Sequence, residues 1–164
     1  MGAFTKKDQD FIRRLGRDID SIGTYLEELR RFWGSTLGIT GSQWRIILVL
    51  AEIDDGEGAP VNAVSKALHV DSSFITMQSK FLEKNGFLFR RTSRDDGRVV
   101  KLSLTDKARQ HLSSLASQQE ALNEFIFSEF ASCELEELTG RLGSLKKRLE
   151  KACLKVAVAE AMTV

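Results

Sequence analysis

Apolar residues recur at every third or fourth position through the first part of the chain: Phe11, Ile12, Leu15, Ile19, Ile22, Leu26, Leu29, Phe32 and Trp33. That spacing lines one side of an α-helix and predicts a long amphipathic helix ending between Gly34 and Gly38. Thr40-Gly41-Ser42 can cap a second helix, Gln43 to Ile53, which is apolar nearly all round, as a core helix is. Asp54 to Pro60 is a loop by composition, and Pro60 favours entry to a short helix with Val61, Val64, Ala67 and Leu68 on one face. After His69-Val70-Asp71, where Asp71, Ser72 or Ser73 can cap, Ile75, Ser79 and Leu82 share one side of a further helix that Gly86 can stop. The period then changes from helical to alternating. Phe87-Leu88-Phe89 and Val99 to Leu104 read as strands around a charged tip. Thr105 can cap a long helix through Leu112, Leu115, Ala116, Leu122, Ile126 and Phe130. A last helix opens at Ser132, with Leu135, Leu138, Leu142, Leu145, Leu149 and Ala152 in line.

The predicted order is helix, helix, short helix, tight turn, helix, hairpin, long helix, helix. Two helices joined by "HVD" and followed at once by a two-stranded basic hairpin describe a winged helix-turn-helix. The fold class expected is therefore mostly α with a small β-hairpin wing.

Charge sharpens this picture. The chain's formal net charge is +1, but residues 60–111 hold ten Lys/Arg against five Asp/Glu, which leaves the remainder at −4. A basic middle in an acidic frame points to a polyanion met by one part of the surface. With 42% hydrophobic and 29% charged residues over 164 positions, the composition is that of an ordinary globular domain with helical extensions. No apolar run is long enough to span a bilayer, and the first residues lack an apolar signal core, so a cytoplasmic protein without a membrane partner is the expectation. Cys133 and Cys153 read as free thiols. His69 and His111 have no acid or cysteine at ligand spacing, so neither a metal nor another cofactor is expected. No nucleophile–base grouping, phosphate loop or paired-acid site marks an enzyme.

Three segments carry a more specific likeness. Leu82-Glu83-Lys84-Asn85-Gly86-Phe87, then Arg91-Thr92-Ser93-Arg94-Asp95-Asp96-Gly97-Arg98, then Val100 to Thr105, together with Gly38-Ile39-Thr40 and Gln43-Trp44-Arg45, resemble the MarR family of bacterial transcriptional regulators over about residues 10–150. Met77 stands where the family often has a basic residue, Ser79 where it usually has an apolar one, and Asp106-Lys107-Ala108 where a glycine often follows Leu-Thr. The resemblance implies a homodimer whose terminal helices, 1–34 and 105–164, form a helical dimerisation region around winged domains at 35–104. It also implies a repressor of double-stranded DNA at a pseudo-palindromic operator, released by a small aromatic acid, thioester or phenol. A subset of the family senses oxidants through cysteine.

On that footing the wing tip would lay Arg94 and Arg98 into the minor groove. Asp96 would steady Arg98 by a charge-assisted contact, and Gly97 would supply a positive φ to the turn. A solvated turn with local ion pairs is the plainer reading of the same residues. The helix from Asp71 to Asn85 would meet the major groove through Ser72, Ser73, Thr76, Met77, Gln78 and Lys80. Gln78 is suited to adenine, and Lys80 and the hydroxyls to phosphate. Phe74 and Phe81 read as packing residues. Tyr25, Arg30, Trp33, Trp44, Arg45 and His111 lie on elements that would line a ligand cavity in such dimers, though both tryptophans also suit the core. A winged-helix module that binds protein rather than DNA, and a cysteine-based redox sensor, are the alternatives.

Overall fold

The computed structural model describes residues 5–161, so residues 1–4 and 162–164, the extreme ends of the helical region expected above, lie outside the described residues. Its elements are helix α1 (Lys6–Thr36), helix α2 (Gly41–Ile53), strand β1 (Ala59–Pro60), helix α3 (Val61–Leu68), helix α4 (Ser72–Lys84), strands β2 (Leu88–Thr92) and β3 (Val100–Leu104), and helices α5 (Asp106–Phe127) and α6 (Ser132–Ala161). The mostly helical chain with a small antiparallel wing is the fold class expected.

Local chemistry sets most boundaries. Thr5 and Asp8 close a capping box at the start of α1, and Thr40 and Gln43 close one at α2: each threonine hydroxyl accepts the third backbone N–H, while the third side chain accepts the cap's own. Pro60 is the N-cap of α3, where its missing N–H costs nothing. His69 ends α3 in the left-handed region at φ 54°, a conformation usually left to glycine or asparagine, which makes the bend between the two helices sharp. Gly86, at φ 74°, turns the chain out of α4.

The sheet departs from the expected two-stranded hairpin. Its order is β1-β3-β2, all antiparallel, because Ala59 and Pro60 pair with Leu102 and Lys101. Two residues have no strand pattern to read; the partner strand creates the element. Within the hairpin, Leu88 opposes Leu104 and Arg90 opposes Leu102, so Leu88, Leu102 and Leu104 are buried while Phe89 on the other face is exposed.

The chain divides into two compact units, Met1–Ser114 and Leu115–Val164, each of which has its own character. In the first, Trp33, Ile39, Trp44, Ile46, Ile47, Leu50, Val64, Leu68, Ile75, Leu82, Phe87, Leu88, Leu102, Leu104 and Ala108 form the core. Only the C-terminal end of α1 enters it; Phe11, Ile12, Leu15, Ile19, Ile22 and Leu26 remain exposed. In the second unit no described residue of α6 is buried, and Leu138, Leu142 and Leu149 face solvent. Helix α5 ends at Phe127, short of the Phe130 expected. Among the described residues, no helix is long and apolar enough to cross a membrane.

Candidate nucleic-acid interface

Residues of α4 advance by about 100° each. Ile75, Ser79 and Leu82 therefore share the side packed into the core, and Ser73, Met77, Lys80, Phe81 and Lys84 share the opposite, exposed arc. Of the α4 residues expected to meet a groove, Ser73, Met77 and Lys80 lie on that arc. Phe81, read from sequence as packing, lies there too and is 46% exposed; Phe74 is half-buried.

Two of the expected readers, Ser72 and Gln78, make internal side-chain bonds, and a third, Thr76, is half-buried. The hydroxyl of Ser72 sits 3.0 Å from that of the buried Ser65 on α3, and so helps to hold the helix-turn-helix together. Thr76 is half-buried on the flank of α4, where its carbonyl takes part in the contacts below. Gln78 accepts, through Oε1, a 2.8 Å bond from Nε2 of Gln43. Gln43 has no freedom to turn over, because its own Oε1 accepts the backbone N–H of Thr40 at 3.0 Å. A bidentate pairing of Gln78 with adenine would therefore have to share Oε1 with this internal bond, which takes one of its two lone pairs.

A residue that the sequence reading passed over ties this helix to the wing. Arg90 points from β2 to α4: its guanidinium donates to the Ser79 hydroxyl and, at 3.5 Å, to the Thr76 carbonyl, and its Nε lies 3.7 Å from Glu83 Oε2. Glu83 Oε1 also accepts the backbone N–H of Arg90 at 3.1 Å. The signal was present as two matched exceptions. Strand alternation from Leu88 places Arg90 on the inner face, and Ser79 interrupts the apolar side of α4. At the other end of the wing, buried Thr105 donates its hydroxyl to the Gly86 carbonyl at 2.8 Å and caps α5 by accepting the Ala108 N–H at 3.2 Å. Lys107 reaches across the same corner, with Nζ 3.1 Å from the Asn85 carbonyl oxygen and 4.5 Å from the centre of the Phe87 ring.

Arg94, Asp96 and Arg98 are all exposed at the wing tip. Asp96 steadies Arg98 differently from the contact expected: its Oδ1 accepts the Arg98 backbone N–H at 2.9 Å. Nor does Gly97 use a positive φ; the turn closes with the Val99 N–H on the Asp96 carbonyl at 3.0 Å, a geometry open to any residue. The acid thus shapes the tip's backbone. On the outer face of β2, the Arg91 guanidinium lies over the Phe89 ring, 5.3 Å from its centre.

The six residues expected to line a ligand cavity differ in burial. Trp33 and Trp44 are core residues, Arg45 is half-buried on α2, and His111 is half-buried with its ring 6.1 Å from Phe87. Tyr25 is 66% exposed on α1, and Arg30 is paired with Glu27 at 3.3 Å. Cys133 and Cys153 are free and exposed, and among the described residues no group of three or more His, Cys, Asp or Glu could hold a metal ion.

Comparison with known proteins meets this geometry from outside. Residues 39–100 match the model of the MarR family. Two uncharacterised HTH-type transcriptional regulators of Bacillus subtilis (strain 168) are similar. YybA is 24% identical over 135 residues, which cover 82% of this chain and 88% of that protein. YdgJ is 23% identical over 112 residues, 68% of this chain and 66% of its own length. A mutant MarR from E. coli, complexed with operator DNA, has a similar fold: TM-score 0.68, 23% identity, and coverage of 83% of this chain and 96% of that one.

Proposed function

From the winged helix-turn-helix and the match of residues 39–100 to the MarR family model, we propose that the chain is a regulator of the MarR type, a sequence-specific DNA-binding transcriptional regulator that acts as a homodimer. The observation that carries this reading is the joining of two exposed cationic elements by one buried contact: the arc of α4 with Lys80 and Lys84, and the tip with Arg94 and Arg98, held together through Arg90. A helix in the major groove and a wing in the adjoining minor groove need that fixed relation, since each reaches bases only if the other is seated. That Asp96 holds the backbone of the tip supports a role for Arg98 as the group presented to the minor groove, where narrow A·T tracts concentrate negative potential.

The proposed dimerisation region is 1–34 with 105–164, and the proposed DNA-binding domain is 35–104. The exposed apolar stripes of α1 and α6 support the first assignment, because monomers rarely leave such runs in water. A dimer would place two winged domains on half-sites about one helical turn apart in a pseudo-palindrome. Occupancy of that operator would repress transcription, and a small aromatic ligand would release it. Tyr25, Arg30, Arg45 and His111 are its proposed contacts, with Trp33 and Trp44 serving the core.

The test is a fluorescence-anisotropy titration of duplex fragments from the DNA upstream of the gene against random duplex, repeated across salt concentrations. Tight binding to one fragment is expected, with log K falling linearly in log salt. Arg94→Ala and Arg98→Ala should each weaken binding about tenfold or more and flatten the slope by about one contact. Equal binding of all fragments would remove the specificity, and unchanged affinity in both variants would remove the wing.

A further inference from the structure

We infer that Met77 and Phe81 form an apolar reader of thymine, touching the C5-methyl groups that this base alone displays in the major groove of unmodified DNA. The inference rests on the DNA-binding reading above and adds the chemistry by which α4 selects bases.

Three observations lead there. Met77 and Phe81 stand one helical turn apart on the outward arc of α4 and are 58% and 46% exposed, on a helix whose opposite side is fully packed. Lys80 and Lys84 share the arc, while the one acid of the helix, Glu83, is drawn back onto Arg90. An apolar pair inside a cationic frame matches a partner that is anionic at its edges and carries methyl groups between them, as the major groove does. Two polar residues beside the arc already make internal bonds: Ser72 with Ser65, and Gln78, through its side-chain oxygen, with Gln43. Besides the two lysines, the uncharged side chains of the outward arc are Met77 and Phe81, with Ser73 a turn earlier. Arg90 also fixes α4 against the wing, so the pair returns to the same depth in every complex.

The test replaces thymidine by deoxyuridine throughout the half-sites of the preferred duplex, which removes methyl groups while leaving pairing and phosphates unchanged. Wild-type protein should bind the deoxyuridine duplex about tenfold more weakly, within the range of a single base contact. Met77→Ala and Phe81→Ala, each checked for an unchanged melting temperature, should each narrow the difference between the two duplexes, and the double variant should bind the thymidine duplex as weakly as wild type binds the other and no longer distinguish the two. Specific binding that ignores the methyl groups overturns the inference and leaves the DNA-binding reading standing. So does a double variant that loses affinity equally for both duplexes, which would show that the pair supports binding without reading the methyl groups. Absence of any sequence-specific binding overturns both.

Discussion

The guanidinium of Arg90 on β2 donates to the hydroxyl of Ser79 on α4, a side chain with no exposed surface. Neither residue suits its place by itself: one puts a charge on the inner face of a strand, the other a hydroxyl on the apolar side of a helix. Together they satisfy each other. Glu83 adds the opposite charge, so the arginine is paired as well as hydrogen-bonded.

Ser79→Ala removes one partner of a charge-assisted bond and should lower unfolding free energy by about 2 kcal/mol. Ser79→Leu continues the apolar line of Ile75 and Leu82. It should nevertheless be worse, because the longer side chain would compete with the guanidinium for a filled site. Urea denaturation of both variants measures this. A leucine variant as stable as wild type would contradict it.

Asp54 and Arg109 form an asymmetric pair, with side chains 1% and 50% exposed. Asp54 Oδ1 accepts the backbone N–H groups of Gly56 and Gly58 at 3.0 Å each, so it organises the loop leading to β1. Its ion pair with Arg109 at 3.3 Å is a secondary contribution. Asp54→Ala should cost about 2–4 kcal/mol, since two loop amides lose their acceptor, whereas Arg109→Ala should cost less than about 1 kcal/mol because the arginine is itself half in water and Asp54 keeps both loop amides. Equal losses in thermal or chemical denaturation would show that the ion pair, not the loop, is what matters.

Gly34 marks the close approach of α1 to the segment entering α2. A Cβ there would lie 2.8 Å from the Ile39 carbonyl oxygen and 2.9 Å from that of Thr40. Both obstacles are backbone and no rotamer relieves them. Gly34→Ala should destabilise by about 1–3 kcal/mol, although alanine is the better helix former by about 1 kcal/mol. A rise in melting temperature would refute the close approach.

The cap of α1 should respond to acid. Asp8 accepts from the Thr5 hydroxyl at 2.7 Å and from its backbone N–H at 2.8 Å. The hydroxyl and then the amide hold its carboxyl below the ordinary carboxylate range, against a small opposing effect of burial. A lowered folded-state pKa means that the cap's contribution is complete above the ordinary value and is lost as pH falls through the folded one. Amide exchange in the first turn of α1 should accelerate, relative to the helix middle, on going below the ordinary range. Asp8→Asn should abolish that dependence; a pH response that survives in the variant would assign it elsewhere.

Much of the molecule follows from residues close together in the chain. The 3.6-residue period of α1, the capping residues Thr40 and Thr105, the turn at His69 and the alternation from Leu102 to Leu104 are set by neighbours within a few positions. Helix-turn-helix and wing were legible for that reason, as was the exposed cationic tip.

Contacts across the fold decided the rest. Ala59 and Pro60 become a strand because β3 passes beside them; Gln78 accepts an internal bond because Gln43, 35 residues earlier, reaches its side-chain oxygen. Arg90 finds Ser79 only when β2 folds back over α4. A buried polar atom must find a partner wherever the chain brings one, and sequence spacing carries no record of that distance in space. Periodicity therefore shows which face of α4 is free, while packing determines which of its side chains are left to use it.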